Sequence, residues 1–203
     1  MNERAESELW SGTRIGVFGG TFDPPHVGHL QMARTARETL GLDRVVFSVA
    51  PRPPHKQGQP TTDLAHRLEM VRLAIADDDG AGITHLEGEH DVSFTVDLLR
   101  ACRARTVADL YFIVGADSLV ELPTWREPGE IMRLATLVVF PRARVPVCLD
   151  AAGDASVVVF ESPLIDVSST DVRRRLVAGE PPRDLVARGV AAYIERHALY
   201  VTG

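Results

Sequence analysis

The sequence predicts an α/β fold in which a doubly wound parallel sheet carries helices on both faces. Two observations predict it: segments with strand and helix patterns alternate along the 203 residues, and the strands are continuous apolar runs. A strand that is apolar at every position needs cover on both faces, whereas a half-exposed strand alternates apolar and polar residues. Sheets of this kind bind ligands outside the carboxyl ends of their strands, where the strand order reverses.

The first half of the chain supplies three strands and three helices. Val27–Leu40 has apolar residues at helical spacing and stops at Gly41, while residues 77–80 (DDDG) read as a solvated turn. Thr62 or Asp63 can cap the second helix. The predicted strands are 14–19, 44–50 and 83–86, and the predicted helices are 27–40, 63–76 and 93–103.

The second half continues the same alternation. Residues 108–114 form an apolar run that stops at Gly115, and Ser168 followed by Asp171 has the form of a helix cap. The predicted strands are 108–114, 136–140 and 157–160, and the predicted helices are 168–178 and 182–196. The whole pattern is typical of a Rossmann-like fold.

Composition and charge narrow the class of protein. The net charge of −6 gives no basic field for nucleic acid, and no apolar run reaches the length that spans a membrane. Residues 1–12 are predicted as a polar N-terminal tail, with 13–203 as a single domain. The absence of a signal peptide, together with Cys102 and Cys148 in apolar surroundings without a CxxC spacing, predicts a cytoplasmic protein.

The loop after the first strand carries the chemistry. Its residues 19–29 (GGTFDPPHVGH) match neither a Walker A loop nor a GxGxxG fingerprint. Gly19 and Gly20 still allow close approach of a ligand, and the next helix offers free N–H groups to an anion. His26 and His29 can donate to phosphate oxygens. Surface histidines or a zinc pair are the alternatives, although no third zinc ligand stands at a familiar spacing.

Several later segments complete a pattern with this loop. They are 53–56 (PPHK), 93–97 (SFTVD), 115–118 (GADS), 122–125 (LPTW), 167–173 (VSSTDVR), 193–194 (YI) and 199–200 (LY). Together with the first loop they resemble the nicotinate-mononucleotide adenylyltransferase family of the HxGH-type nucleotidyltransferase superfamily. The resemblance covers nearly the whole chain beyond Gly12, which makes 13–203 a single nucleotidyltransferase domain.

The resemblance implies roles for individual residues. The catalytic residues would be His26, His29, Lys56 and Arg173. The ATP-binding residues would be Gly19, Gly20, Thr21, Phe22, Gly115, Asp117, Arg142, Ser168 and Ser169. The residues that bind the pyridine mononucleotide would be Phe94, Thr95, Leu122 and Trp125. No protein metal site is expected, because Mg²⁺ would enter bound to ATP.

Some of these positions have plainer explanations or depart from the family pattern. Lys56, the only lysine, could be a surface residue, Trp125 could belong to the core, and Asp117 could cap a helix that follows it. Arg142 stands in a turn where the family commonly has an Arg-Pro-Gly-like sequence, and Arg126 stands where an aromatic or other residue is often seen. The contact of Arg142 with ATP and the role of Arg126 at the pyridine site are therefore left open.

The expected reaction is transfer of AMP from ATP to nicotinate mononucleotide, with release of pyrophosphate and with the amide mononucleotide as a weaker substrate. It needs positioning and charge neutralisation but no covalent intermediate. ATP and nicotinate mononucleotide are the expected partners, and a homo-oligomer is left open. Two rivals stay open: adenylylation of another phosphate such as phosphopantetheine, and a nucleotide-sensing module that has lost its chemistry.

Overall fold

A computed structural model describes residues 7–51, 61–84, 86, 94–141, 157–160, 167–182 and 184–201, with only the backbone of residues 117 and 119. The strands in these ranges are β1 Arg14–Gly20, β2 Arg44–Val49, β3 Ala81–Thr84, β4 Asp109–Gly115, β5 Thr136–Phe140 and β6 Val157–Val159. The helices are α1 Val27–Leu40, α2 Leu64–Ala74, α3 Thr95–Arg103, α4 Ala116–Glu121, α5 Pro128–Leu134, α6 Ser169–Val177 and α7 Arg188–Arg196.

The strands form one parallel sheet in the order β3-β2-β1-β4-β5-β6. Strand β1 lies between β2 and β4, and the order of the strands reverses at this point. The predicted doubly wound, Rossmann-like fold is therefore confirmed. Its ligand crevice is expected at the carboxyl ends of β1 and β4.

Helices cover both faces of the sheet, which explains why the strands are apolar throughout. On one face α3 and α5 pack on alternate residues of the central strands, including Val17 and Phe112. On the other face α1 and α2 pack on the intervening residues, including Phe18 and Ile113. Because successive side chains of a strand point to opposite faces, both sets have to be apolar.

A third apolar cluster joins α6 and α7 to the rest of the fold. Met70 of α2 packs with Val172, Val190 and Ile194. This packing brings α6 and α7, near the end of the chain, back onto α2 and therefore towards the carboxyl end of β1.

The N-terminal segment contributes to the core although its composition predicts a polar tail. Leu9 and Trp10 are buried in the cluster that contains α3. A Cβ at Gly82 of β3 would come within 2.1 Å of the Leu9 side chain. Two apolar residues in a short polar stretch show no periodicity, so this packing leaves no pattern in the sequence.

The structure departs from the predicted elements at three places. Helix α7 begins at Arg188 and not at residue 182, because the backbone N–H groups of Leu185 and Val186 donate to Pro182 in a separate turn and Ala187 is extended. Helices α4 and α5 were not predicted; each is a short helix of six or seven residues. Since α4 begins at Ala116, Asp117 lies inside the helix, and its interpretation as a cap is wrong. No helix in the described ranges has the length and apolarity that crossing a membrane requires.

Candidate active site

The backbone turns sharply where β1 ends. A Cβ at Gly20 would lie 2.8 Å from the ring of Phe22, so a side chain at this position would displace that ring. Phe22 is itself in the left-handed region at φ 49°, and its buried side chain lies between Phe18, Phe47 and His29. Phe22, which the sequence predicts to bind ATP, therefore uses its side chain to support the loop and His29.

His26 and His29 meet at the start of α1. Their rings are stacked, with centroids 3.6 Å apart. Nδ1 of His26 accepts the backbone N–H of His29 at 3.4 Å, and Nδ1 of His29 accepts the backbone N–H of His26 at 3.2 Å. This reciprocal cap assigns the proton of each neutral imidazole to Nε2. Each ring thus has its N–H donor at Nε2, and both rings lie at a helix N-terminus, where anions are favoured.

The N-terminal turn of α6 is bound directly to the β1 loop. Ser169 donates its hydroxyl to the carbonyl of Pro24 at 2.9 Å, and Arg173 donates to the carbonyl of Asp23 at 2.7 Å. About 145 to 150 residues separate the partners. The structure therefore brings the first and the last predicted phosphate motifs together, with the N-termini of α1 and α6 on one loop.

The side chain of Ser168 caps the N-terminus of α6. Its hydroxyl accepts the backbone N–H of Asp171 at 3.1 Å and lies 2.6 Å from the Asp171 carboxylate. The predicted cap is confirmed, and the N–H groups of the first turn of α6 remain the natural donors to an anion.

Gly115 ends β4 beside the same crevice. A Cβ placed on Gly115 would meet nothing within 4 Å, so the end of β4 faces open space. The strand is paired with β1 on one side and β5 on the other. This position fits the approach of a ligand to the backbone.

The buried side chain of Asp23 ties the β1 loop to other parts of the chain. It is 3% exposed, and its carboxylate accepts the hydroxyl of Tyr200 at 2.6 Å and the backbone N–H of Thr62 at 3.3 Å. Burial raises the pKa of Tyr200 above its ordinary value, and the bond to Asp23 adds to the rise. Tyr200 therefore stays a neutral donor to the Asp23 carboxylate.

Arg67 is the largest side chain that the described residues bury almost completely. It donates to the carbonyls of Thr21 at 3.0 Å, Ala50 at 2.7 Å, Pro51 at 3.0 Å and Thr62 at 2.8 Å. Burial lowers the pKa of the guanidinium, and the charge of Asp23 opposes that effect. An arginine nevertheless stays charged in proteins, so a buried cation lies under the loop.

The aromatic residues that the family resemblance assigns to the pyridine ring stand just before the starts of α3 and α5. Phe94 precedes α3, and the Arg126 guanidinium lies 5.0 Å above its ring. Arg126 also donates to Asp97 at 3.1 Å. Trp125 is half-buried, with its ring edge-on to Phe112 at 6.4 Å. Arg126 thus ties the Trp125 loop to the start of α3.

A second arginine strengthens this connection. Arg100 of α3 donates to Glu127 at 2.6 Å, which holds the pKa of Glu127 below its ordinary range. Glu127 has a left-handed backbone, at φ 51°, immediately before α5. Leu122, by contrast, is buried in the core, and Thr95 is the first residue of α3.

The predicted site residues therefore fall into two neighbouring groups. One surrounds the β1 loop and the start of α6, and the other surrounds Phe94 and Trp125. Lys56 and Arg142 lie outside the described residues, as does the side chain of Asp117.

Sequence reasoning assigned no role to Asp23, Arg67 or Tyr200. Asp23 stands in the motif 19–29 and Tyr200 in the segment 199–200, but nothing in the sequence pairs them. Arg67 did leave a signal: it stands three residues after Leu64 and three before Met70, on the apolar side of α2. An arginine on the buried face of a helix needs partners and indicates a structural or functional role.

Known proteins of one family are similar to this chain over most of its length. A family model described as cytidylyltransferase-like matches residues 17–175. Two relatives are named probable nicotinate-nucleotide adenylyltransferase. The one from Thermomicrobium roseum is 41% identical over 94% of this chain and 92% of its own length. The one from Thermus thermophilus is 45% identical over 92% of this chain and 99% of its own length.

Solved structures share the fold at lower identity. The nicotinic acid mononucleotide adenylyltransferase of Plasmodium falciparum, complexed with NaAD, superposes with a TM-score of 0.79 at 17% identity. The alignment covers 93% of this chain and 98% of that one. From the match to the family model and the extent of identity with the two bacterial relatives, it follows that this chain belongs to the cytidylyltransferase-like family and, within it, to the nicotinate-nucleotide adenylyltransferases.

Proposed function

We propose that the protein transfers AMP from ATP to nicotinate mononucleotide, forming nicotinate adenine dinucleotide and pyrophosphate. The observation that carries the proposal is the contact of α6 with the β1 loop. Ser169 and Arg173 bind the carbonyls of Pro24 and Asp23, which places two helix N-termini and the His26–His29 pair around one loop. Such a concentration of N–H donors suits a triphosphate.

The reaction is a single in-line displacement. An oxygen of the 5′-phosphate of the mononucleotide attacks the α-phosphorus of ATP, and the bond from that phosphorus to the bridging oxygen of pyrophosphate breaks. A phosphate monoester is already largely ionised at neutral pH, so no general base has to remove a proton. The neutral histidines act as donors, since each Nδ1 is occupied by a backbone N–H.

The residues around the β1 loop share the triphosphate between them. We assign the α- and β-phosphates to His26 and His29, and the outer phosphates to Arg173 and the first turn of α6. A guanidinium has five N–H donors, so the bond from Arg173 to Asp23 leaves others for phosphate oxygens. Gly19, Gly20 and Gly115 let the nucleotide approach the backbone, and Lys56, Asp117 and Arg142 are assigned to ATP by family resemblance.

Mg²⁺ belongs to the substrate in this proposal, as MgATP. Magnesium keeps several waters and takes phosphate oxygens as ligands, so it needs few carboxylates from the protein. Among the described residues, no three His, Cys, Asp or Glu side chains are grouped as metal ligands. The Asp23 carboxylate, within the β1 loop, already accepts hydrogen bonds from Tyr200 and Thr62.

The mononucleotide is assigned to the group around Phe94, Thr95, Leu122 and Trp125. Phe94 and Trp125 are both half-buried, and an aromatic pyridine ring can stack on such surfaces. Leu122 supports the Trp125 loop from the core. The preference for the acid over the amide rests on the family, and nicotinamide mononucleotide is the weaker substrate.

The experiment is pyrophosphate release from MgATP with three acceptors side by side: nicotinate mononucleotide, its amide and phosphopantetheine. We expect the acid mononucleotide to give the highest kcat/KM. Release only with phosphopantetheine would show that the proposed acceptor is wrong, although the transfer of AMP from ATP would stand. A folded protein that binds ATP and releases no pyrophosphate with any acceptor would overturn the reaction and favour a sensing module. The double variant His26→Asn, His29→Asn is the control for contaminating activity.

A further inference from the structure

Arg67 makes an unusual set of contacts for a buried arginine. It donates four hydrogen bonds to backbone carbonyls, and all three nitrogens take part: Nε bonds Thr62, one terminal nitrogen bonds Thr21 and Ala50, and the other bonds Pro51. Only 1% of the residue is exposed. Arg67 is therefore placed to act on the protein backbone and not on a substrate.

The carbonyls that Arg67 bonds belong to separate segments of the backbone. Thr21 belongs to the loop that continues into His26 and His29, whereas Ala50 and Pro51 directly follow β2 and Thr62 lies two residues before the start of α2. Pro51 and Thr62 flank residues 52–61. One guanidinium thus ties both ends of that stretch to the loop after β1.

Two further hydrogen bonds join the same backbone segments. The backbone N–H of Ala50 donates to Gly20 at 2.9 Å, and the backbone N–H of Thr62 donates to the carboxylate of Asp23. The buried Asp23 also supplies the opposite charge for Arg67. The arrangement is a cross-linked unit in which a change at Arg67 reaches the β1 loop through several bonds.

The geometry needs a guanidinium specifically. Its five N–H donors lie in one plane and point to opposite edges, so it can bond carbonyls on separate segments at once. A lysine at this position has one nitrogen and three donors, which cannot reach carbonyls on all sides. Methionine has a similar length but would leave four buried carbonyls without this partner.

We propose that Arg67 is a positioning residue for nucleotidyl transfer, which sets the backbone of the β1 loop against the two ends of the stretch 52–61. The proposal rests on the function proposed above and adds a residue that touches neither substrate. Catalysis of phosphoryl transfer depends on placement of the donors, and a displacement of about 1 Å can lower the rate about 100-fold.

The first test compares Arg67→Lys and Arg67→Met with the matched controls Arg72→Lys and Arg72→Met. Arg72 lies on the same helix but is exposed and pairs with Glu69. In variants that melt above the assay temperature, we expect kcat to fall about 100-fold and the Kd of ATP to change less than tenfold. Lysine should restore part of the rate lost with methionine. A folded Arg67→Met protein with kcat within threefold of wild type would overturn the proposal.

A second measurement uses the wild-type protein and does not depend on a variant that folds. The amides of Ala50 and Thr62 should exchange with solvent through one opening event, because Arg67 joins their segments. We expect protection factors within about threefold of each other, rising together when ATP binds. Protection factors that differ by more than tenfold, or that respond separately to ATP, would show that the segments open independently and would overturn the proposal.

These tests separate the two proposals. If wild-type protein releases no pyrophosphate with any acceptor, the proposed function fails, and the exchange experiment still decides whether Arg67 unites the loops. If wild type is active and Arg67→Met keeps its kcat while the Arg72 controls behave as expected, the positioning role alone fails.

Discussion

Tyr200 donates its hydroxyl to the carboxylate of Asp23 at 2.6 Å, although the two residues are 177 positions apart. The bond closes the C-terminal segment onto the loop after β1. Asp23 also receives the backbone N–H of Thr62, and its carbonyl receives Arg173. The β1 loop is therefore supported by residues from three separate parts of the chain at once.

Replacement of Tyr200 by phenylalanine tests this support. It removes one donor from a buried carboxylate, and we expect the free energy of unfolding at pH 7 to fall by about 1–3 kcal/mol. The matched control is Tyr193→Phe, which loses a hydroxyl that contacts His66 in a less buried setting and should cost about 1 kcal/mol or less. Urea unfolding measures both, and equal losses would contradict the role of Asp23.

The Tyr200 bond also predicts a dependence on alkaline pH. Burial raises the pKa of Tyr200 above its ordinary value of 10.0, so folding favours the neutral phenol. The stability that this hydroxyl contributes is complete below pH 10 and is lost as the pH rises above that value. The difference in unfolding free energy between wild type and Tyr200→Phe should therefore be constant from pH 7 to 9 and shrink at pH 11. A difference that begins to shrink near pH 8 would contradict the assignment.

Asparagine at position 26 or 29 tests the histidine pair without removing a cap. His26 is buried and caps α1, so alanine would cost the cap as well as the imidazole, about 0.5–2 kcal/mol. Asparagine keeps an acceptor near the place of Nδ1. We expect kcat to fall at least about 100-fold for His26→Asn and for His29→Asn. The melting temperature should fall by less than about 4 °C. Unchanged kcat in either folded variant would remove that histidine from the mechanism.

Asp43 predicts a dependence on acid pH far from the active site. One oxygen of its carboxylate accepts the backbone N–H groups of Thr13 and Arg14, which lower its pKa from the ordinary 3.8. A lowered pKa means that the contribution is complete above pH 3.8 and is lost as the pH falls through the folded value. Asp43→Asn should lower the urea midpoint at pH 7 and have less effect at pH 2.

The control for Asp43 is Asp79→Asn, an exposed carboxylate in the turn after α2 that undergoes the same change of charge. Its urea midpoint should stay close to that of wild type at both pH values. An Asp43→Asn protein whose midpoint differs from wild type equally at pH 7 and pH 2 would show that the carboxylate charge contributes nothing.

Arg126 should matter for the mononucleotide and not for ATP. Its contacts with the Phe94 ring and with Asp97 are partly exposed, and each is worth about 0.2–1 kcal/mol. We expect Arg126→Met to raise KM for nicotinate mononucleotide up to about tenfold and to leave KM for ATP unchanged. Arg133→Met, an exposed arginine paired with Glu130, is the control. An equal rise of both KM values would contradict a local effect on the Trp125 loop.

The sequence predicted the long helices well and the short helices poorly. Helix α1 shows helical spacing over four turns and ends at Gly41, which has the left-handed backbone that glycine favours. Helices α4 and α5 are too short to show a period, and α4 begins at the residue after β4 without a loop. The turn before α7 shares its apolar spacing with the helix, so the start of α7 was placed six residues early.

By itself the sequence determined which chemistry the protein carries. Apolar runs and glycine ends follow from local rules of helix and strand formation, and the histidine, serine and arginine motifs stand in contiguous segments that can be compared with a family. The structure alone decided how those segments support one another. The bonds from Tyr200 to Asp23, from Ser169 to Pro24 and from Arg67 to Thr21 join residues that are 46 to 177 positions apart. Such contacts depend on the strand order and on helix packing, and a single sequence carries no periodic signal of either.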